Sequence, residues 1–243
     1  MKMILALVGC VALTILSVCA QDSTEESTNS TPTPTSTPAE SDGGTNEVTI
    51  EDLMKLPSFT NETGMVMVKL SGRLWVGAYE VTQAEYQKVA GSNPSRFQSA
   101  LNPVESVTWN EAVTFCEKLT AAEVEKKMLP EGFAYSLPTQ AQWESFAAGV
   151  QLKDAVTSNG LTRSGTASVG TLGASGAGLY DVRGNVCEWC LDPQNQPYRV
   201  ARGAAWNTFI EINLRPEFRW YEEPVNRRDK IGFRVVLATK SGT

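Results

Sequence analysis

Apolar residues fall into three regimes along this chain. From Met3 to Val18 nearly every position is apolar, from Gln21 to Glu47 almost none is, and beyond that they recur in short periodic groups. In the third regime, Met65-Val66-Met67-Val68 and Leu74-Trp75-Val76 are β-rich runs separated by Ser71-Gly72, which predicts paired strands between Ser58 and Tyr79. Thr82 followed by Glu85 is a capping box that opens a helix carrying Tyr86 and Val89 and ended by Ala90-Gly91, after which Asn93-Pro94-Ser95 turns the chain. Ala112, Val113, Cys116 and Leu119 predict a second helix, from Thr108 or Asn110 to about Lys127. Thr139 caps a third, with Trp143 and Phe146 toward the core. Ser158 to Gly178 is rich in Gly, Ser, Thr and Ala and reads as loop, with a short strand near Ala167 to Val169. The chain closes on a strand-like run, Phe233-Arg234-Val235-Val236-Leu237, and no internal repeat is present.

The first two regimes set the domain organisation. Lys2, the apolar run and the small residues at Val18-Cys19-Ala20 read as a signal peptide over residues 1–20, too short for a membrane span. Two processing routes fit: cleavage before Gln21, or lipidation of Cys19 in Leu16-Ser17-Val18-Cys19, which resembles a bacterial lipobox. Either one predicts an extracytoplasmic domain, secreted, periplasmic or lipid-anchored at the cell surface, with Cys19 as the membrane tether in the second case. Residues 21–47 are Ser, Thr, Pro, Glu and Gly, unable to bury enough surface to offset their conformational entropy, and read as an acidic disordered tether. Residues 48–243 are left as a single domain.

Charge and composition then exclude functions. The net charge of −6 belongs to the tether: residues 21 to 54 hold eight carboxylates and no Lys or Arg, whereas residues 55 to 243 hold 19 acidic and 20 basic side chains. A near-neutral domain gives no basis for nucleic-acid binding. The chain has no histidine, which removes serine-protease triads, His-ligated zinc and two-His-one-carboxylate iron sites. Cys187-Glu188-Trp189-Cys190 admits a redox reading, set against Cys116 and Cys190 as buried fillers or a disulfide. Asp181-Val182-Arg183-Gly184-Asn185-Val186-Cys187-Glu188 has carboxylates at both ends and a glycine between, a pattern that lets backbone carbonyls turn toward a hard cation.

Several segments in fixed order carry a family resemblance. They are Tyr79-Glu80-Val81-Thr82, Asn93-Pro94-Ser95 with Phe97, Pro103-Val104-Glu105 with Val107 and Trp109, Leu137-Pro138-Thr139 with Trp143-Glu144, Gly178-Leu179-Tyr180-Asp181 through Glu188-Trp189, and Gly232-Phe233-Arg234. From about Gly64 to Leu237 the chain resembles the formylglycine-generating enzyme family, the sulfatase-modifying factor domains. The resemblance implies an α+β, C-type-lectin-like fold with little regular secondary structure.

It also implies chemistry that this chain does not carry over. Active members bind copper through two cysteines placed after an Arg-Gly-Gly-Ser-type segment. Here that segment is Arg202-Gly203-Ala204-Ala205-Trp206-Asn207-Thr208, and the cysteine positions match Thr208 and Asn213, so copper is not expected. The family's serine is Ala205, and the first tryptophan of its Gly-Asn-x-Trp-Glu-Trp motif is Cys187. The iron-dependent sulfoxide synthase branch needs histidines. The resemblance further implies a structural calcium held by Asp181, Gly184, Val186 and Glu188, while a second family calcium site, in the shortened Gln151–Gly165 region, is expected to be absent. Relatives bind substrate on the face that Arg199 to Arg234 would form, dense here in Arg and aromatics. The leading expectation is therefore a catalytically silent domain that binds a peptide, glycan or protein through Thr208, Asn213, Arg219 and Trp220. The alternatives are an oxidoreductase with an altered site at Cys187 and Cys190, and a displayed variable ligand-binding protein.

Overall fold

A computed structural model describes residues 48–158, 163–191 and 196–240. The expected signal peptide, Cys19 and the tether lie outside these residues. Among them no helix is long and apolar enough to cross a membrane.

Capping boxes set the three longer helices. Thr82, Thr108 and Thr139 each accept from the N–H three residues on, while Glu85, Glu111 and Gln142 accept from the threonine's own N–H. A short helix α1 (Ile50–Lys55) precedes them, so the three boxes open α2 (Gln83–Ala90), α3 (Trp109–Glu125) and α4 (Gln140–Ala147). Gly91, at φ 83°, ends α2 as its sequence predicts. The apolar stripe of α3 buries Ala112, Phe115, Cys116 and Leu119.

Two sheets receive these helices. The first is antiparallel, in the order β1 (Ser58–Thr60), β2 (Val66–Ser71), β3 (Leu74–Gly77), β9 (Val236–Thr239) and β4 (Phe133–Ser136). The second runs β7 (Arg219–Glu222), β6 (Arg199–Arg202), β5 (Cys187–Trp189) and β8 (Ile231–Gly232), with β8 parallel to β5. One core cluster, around Trp75, Phe115, Trp189 and Phe233, is joined by a second around Val76, Trp143, Phe146 and Val236.

The structure corrects two sequence expectations. The run Phe233 to Leu237 is not one strand: Val236 and Leu237 open β9, and Phe233 to Val235 is the crossing between the sheets. In the crossing, Phe233 O accepts from Val81 N–H (3.0 Å) and Val235 O from Gly77 N–H (2.9 Å), so these carbonyls are satisfied outside either ladder. The crossing runs close against its neighbours: a Cβ on Gly232 would lie 2.2 Å from Val104 O. Ala167 to Val169 forms no strand either. Ala167 N–H donates to Asn185 Oδ1 (2.9 Å) and Val169 N–H to Leu101 O (2.9 Å), bonds that hold the segment as loop.

Candidate functional site

The pleat of the second sheet sorts the candidate residues before any chemistry is considered. Side chains alternate between faces, and register partners share one. Glu188, Arg202 and Arg219 are partners in turn and face α4, whereas Trp189, Ala201 and Trp220 face the first core cluster. Arg219 and Trp220, expected together on one binding face, are therefore on opposite sides of the sheet.

On the α4 side the central group is a fully buried ion pair. Glu188 Oε1 accepts from Arg234 Nε (3.0 Å) and Nη2 (2.8 Å), and Oε2 accepts from Trp143 Nε1 (2.9 Å). Arg234 also donates to Gly77 O (2.8 Å) and Tyr180 O (2.6 Å), joining β3, the 178–186 loop and β5 at the crossing between the sheets. Two more carboxylates are buried at the same loop, Asp181 within it and Glu80 reaching it from the connection between β3 and α2. Glu80 accepts from Val186 N–H (2.9 Å) and Asn185 Nδ2 (2.8 Å); Asp181 Oδ2 accepts from Gly170 N–H (2.6 Å), leaving Oδ1 buried with no partner among the described residues. Burial pushes all three carboxyls above their ordinary range, Glu80 furthest, while Arg234 draws them down.

This arrangement bears on the expected calcium ligands. Gly184 sits at φ 119° with a hypothetical Cβ 2.7 Å from Val156 backbone atoms, so close approach of two chains requires glycine there. Val186 has its N–H on Glu80, and Asp181 has one unspent oxygen. Glu188, the carboxylate that would close the cradle, has both oxygens committed to Arg234 and Trp143. Among the described residues no group of three or more Asp, Glu or Cys is placed to hold a metal. As arranged, the guanidinium of Arg234 supplies a positive charge at Glu188, while the ligands expected at Gly184 and Val186 are backbone carbonyls.

Further along the same face, Glu144 Oε1 accepts from Arg202 Nη1 (2.8 Å) and Arg219 Nη2 (3.0 Å). Arg202 is fully buried, its guanidinium 4.9 Å from the ring centroid of Trp143, with Nη2 donating to Pro216 O (2.7 Å). This trio lines a hollow of about 380 Å³ floored by Trp143 and Ala147 and walled by Pro216 and Glu217. Beside it lies a wider one of about 570 Å³, lined by Ile212, Arg215, Glu217, Phe218, Arg219 and Tyr221.

The remaining candidates separate from one another. Thr208 Oγ1 accepts from Ala205 N–H (2.9 Å) and its own N–H returns to Ala205 O (2.9 Å), so the hydroxyl closes a turn. Asn213 lies in the 3-10 turn Glu211–Leu214, its N–H on Ile210 O. Trp220 is half-buried on the other face, with Lys230 Nζ 3.3 Å from its ring centroid. Cys187 and Cys190 are both buried, but Cys187 joins the first core cluster and Cys190 the second. Burial pushes the Cys187 thiol up to about 12. The strand between them turns the two sulfurs to opposite sides, so the CxxC spacing builds no redox pair. Cys116 and Cys190 likewise sit in different core clusters, each buried, as the filler reading expects.

Sequence reasoning quoted Glu80, Glu144 and Arg234 only as motif letters; it missed that Glu80 and Arg234 are a buried acceptor and donor and that Glu144 is a half-exposed acceptor for two arginines. It also missed Ile212, whose only signal was a large apolar residue in a segment otherwise rich in charge.

Comparisons with known proteins agree with this fold. The model of the sulfatase-modifying factor enzyme 1-like domain matches residues 25–239. The chaperone protein LppX of Paenibacillus barcinonensis is 29% identical over 54% of this chain and 69% of its own length. The serine/threonine-protein kinase pkn1 of Chlamydia caviae is 30% identical over 58% of this chain, which spans only 25% of that kinase. Among solved structures, Treponema denticola variable protein 1 superposes with a TM-score of 0.63 at 23% identity, covering 74% of this chain and 98% of that one. PvdO from Pseudomonas aeruginosa superposes with a TM-score of 0.59 at 21% identity, covering 76% and 99%. The fold is the α+β, C-type-lectin-like one, and the chain belongs to the sulfatase-modifying factor enzyme 1-like domain family.

Proposed function

We propose that this protein is an exported, catalytically silent member of its family that binds a peptide, glycan or protein partner through the surface built by β7 and the 203–218 segment. The observation that carries the reading is where large apolar side chains are left in water. Of the ten that are exposed among the described residues, five lie between residues 209 and 225: Phe209, Ile210, Ile212, Tyr221 and Val225. Concentrated exposure of this kind marks interaction surfaces. Silence is supported by side chains already spent: at the positions matching the copper-binding cysteines, Thr208 closes a turn, and the thiols of Cys187 and Cys190 are buried on opposite sides of β5.

Export rests on the signal peptide and tether, with Cys19 as a second route to the membrane surface. The test is elemental analysis of the purified protein for copper, iron and calcium, followed by capture of ligands on peptide and glycan arrays. Absence of redox metal, with array binding lost on Ile212→Asp, supports the reading. Stoichiometric copper or iron that disappears in Cys187→Ser overturns it in favour of an oxidoreductase with a relocated site.

A further inference from the structure

β7 lies at one edge of the second sheet, with β6 on its inner side. The phase of its outer edge follows from one hydrogen bond. Cys190 N–H donates to Val200 O (2.8 Å), so Val200 and, by alternation, Arg202 turn their backbone groups toward β5. Arg199 and Ala201 therefore turn theirs toward β7, where they meet Glu222 and Trp220. The N–H and C=O groups of Arg219 and Tyr221 consequently point out of the sheet, and they find no partner among the described residues.

The side chains beside this edge supply recognition as well as exposure. Arg219 and Tyr221 both line the hollow of about 570 Å³, together with Ile212 and Arg215. Tyr221 is 62% exposed and Ile212 58%. Arg219 is held in place by Gln140 Oε1 (2.8 Å) and Glu144 Oε1 (3.0 Å), while Arg215 is exposed and in no ion pair among the described residues. Natural edge strands are usually blunted by cover, bulges or charge, because open ladders recruit other chains. This one instead borders an aromatic and cationic recess.

We propose that β7 takes up an extended peptide as a fifth strand of the second sheet, with an acidic side chain opposite Arg219 and a β-branched or aromatic one two residues away, opposite Tyr221. The inference rests on the binding-domain reading above and narrows its partner. Main-chain bonds to Arg219 and Tyr221 supply affinity, and alternate side chains facing the hollow supply specificity. Arg215, exposed in the same hollow and in no ion pair among the described residues, favours the acidic partner residue. A glycan offers no ladder of N–H and C=O groups and would leave this edge unused.

The experiment selects binders to the full chain from a phage-displayed library of random ten-residue peptides and measures the winning peptide by fluorescence anisotropy. The enriched sequences should carry an acid two residues from a β-branched or aromatic residue, and Arg219→Glu should shift the selection to Lys or Arg at the first position. Tyr221→Pro removes an outward N–H without touching the β6 ladder, and should weaken binding about tenfold or more with the unfolding midpoint kept. Amide exchange at Arg219 and Tyr221 should be fast in the free protein and protected in the complex. If Tyr221→Pro fails to fold, N-methylation of the peptide makes the same test: alternate amides should be essential and the intervening ones tolerant. Binding that survives both Tyr221→Pro and every N-methylation, with protection around Trp220 and Lys230 instead, overturns strand addition and leaves the binding domain standing. A concentration-dependent dimer abolished by Tyr221→Pro also overturns it, by making a second copy the occupant. No enriched peptide overturns it too, and glycan-array binding then decides the broader reading separately.

Discussion

At the scale of single residues, burial decides which groups can react. Cys187 has a thiol pushed up to about 12 by burial, and Cys116 and Cys190 are buried as well. Thiolate is the reactive form, so a thiol-specific chromogenic reagent at pH 8 should label none of the three in the folded domain and all of them in denaturant; rapid native labelling of Cys187 would restore the redox reading. Arg234 is the opposite case, a charge that is buried because it is fully engaged. Arg234→Met strands Glu188 without its partner and should cost about 3–5 kcal/mol in urea unfolding, with part of the loss recovered by adding Glu188→Gln. Glu144 gives a pH signature. Its hydrogen bond and charge interaction with Arg202 hold its carboxyl below the ordinary value of 4.5, with Arg219 adding to the effect. A depressed carboxyl stabilises the fold above that value, and the stabilisation is lost as pH falls through the folded-state value. The acid limb of a stability curve should therefore be shallower in Glu144→Gln below pH 4.5, by a small margin because Glu144 is half exposed.

At the scale of elements, the caps were legible because their chemistry is local. A threonine followed three residues later by Glu or Gln satisfies two orphan N–H groups with no help from the rest of the chain. Thr108→Ala should cost about 1 kcal/mol, measured as a shift of the urea midpoint with unchanged slope, since α3 keeps its buried face. The strands were less legible. Phe233 to Leu237 has the composition of one strand, but composition cannot show that Val81 and Gly77 take its carbonyl groups and split it between two sheets. Ala167 to Val169 failed for a related reason: the partner of Ala167 is a side chain, Asn185, 18 positions away.

At the scale of the whole molecule, the 178–188 loop is where sequence and structure part most instructively. Its spacing of Asp181, Gly184, Val186 and Glu188 suits calcium, but the fold brings in Arg234 from the far end of the domain and places it on Glu188. Arg234 thereby places a positive charge on the loop's closing carboxylate, and we propose that the loop is stable without a divalent ion. Chelation with EDTA should accordingly leave the thermal midpoint unchanged in differential scanning calorimetry. A resident calcium at about 100 times its dissociation constant would contribute about 2.7 kcal/mol, and a fall of roughly 5–10 °C on chelation would show that the ion is present. The same long-range assembly divides the expected ligand face, since the pleat gives Arg219 to one side of the second sheet and Trp220 to the other.

The sequence by itself determined the family, the three capped helices, the loss of thiolate and imidazole ligands, and the concentration of arginine and aromatic residues between Arg199 and Arg234. Those properties depend on residue type and short spacing alone. Tertiary structure decided which of these residues meet. It committed both oxygens of Glu188, sent Cys187 and Cys190 to different clusters, closed a turn with Thr208, and left Arg219 and Tyr221 on an open edge. Each outcome turns on contacts between residues distant in the chain or on the phase of a ladder, and one residue of register moves every side chain to the opposite face.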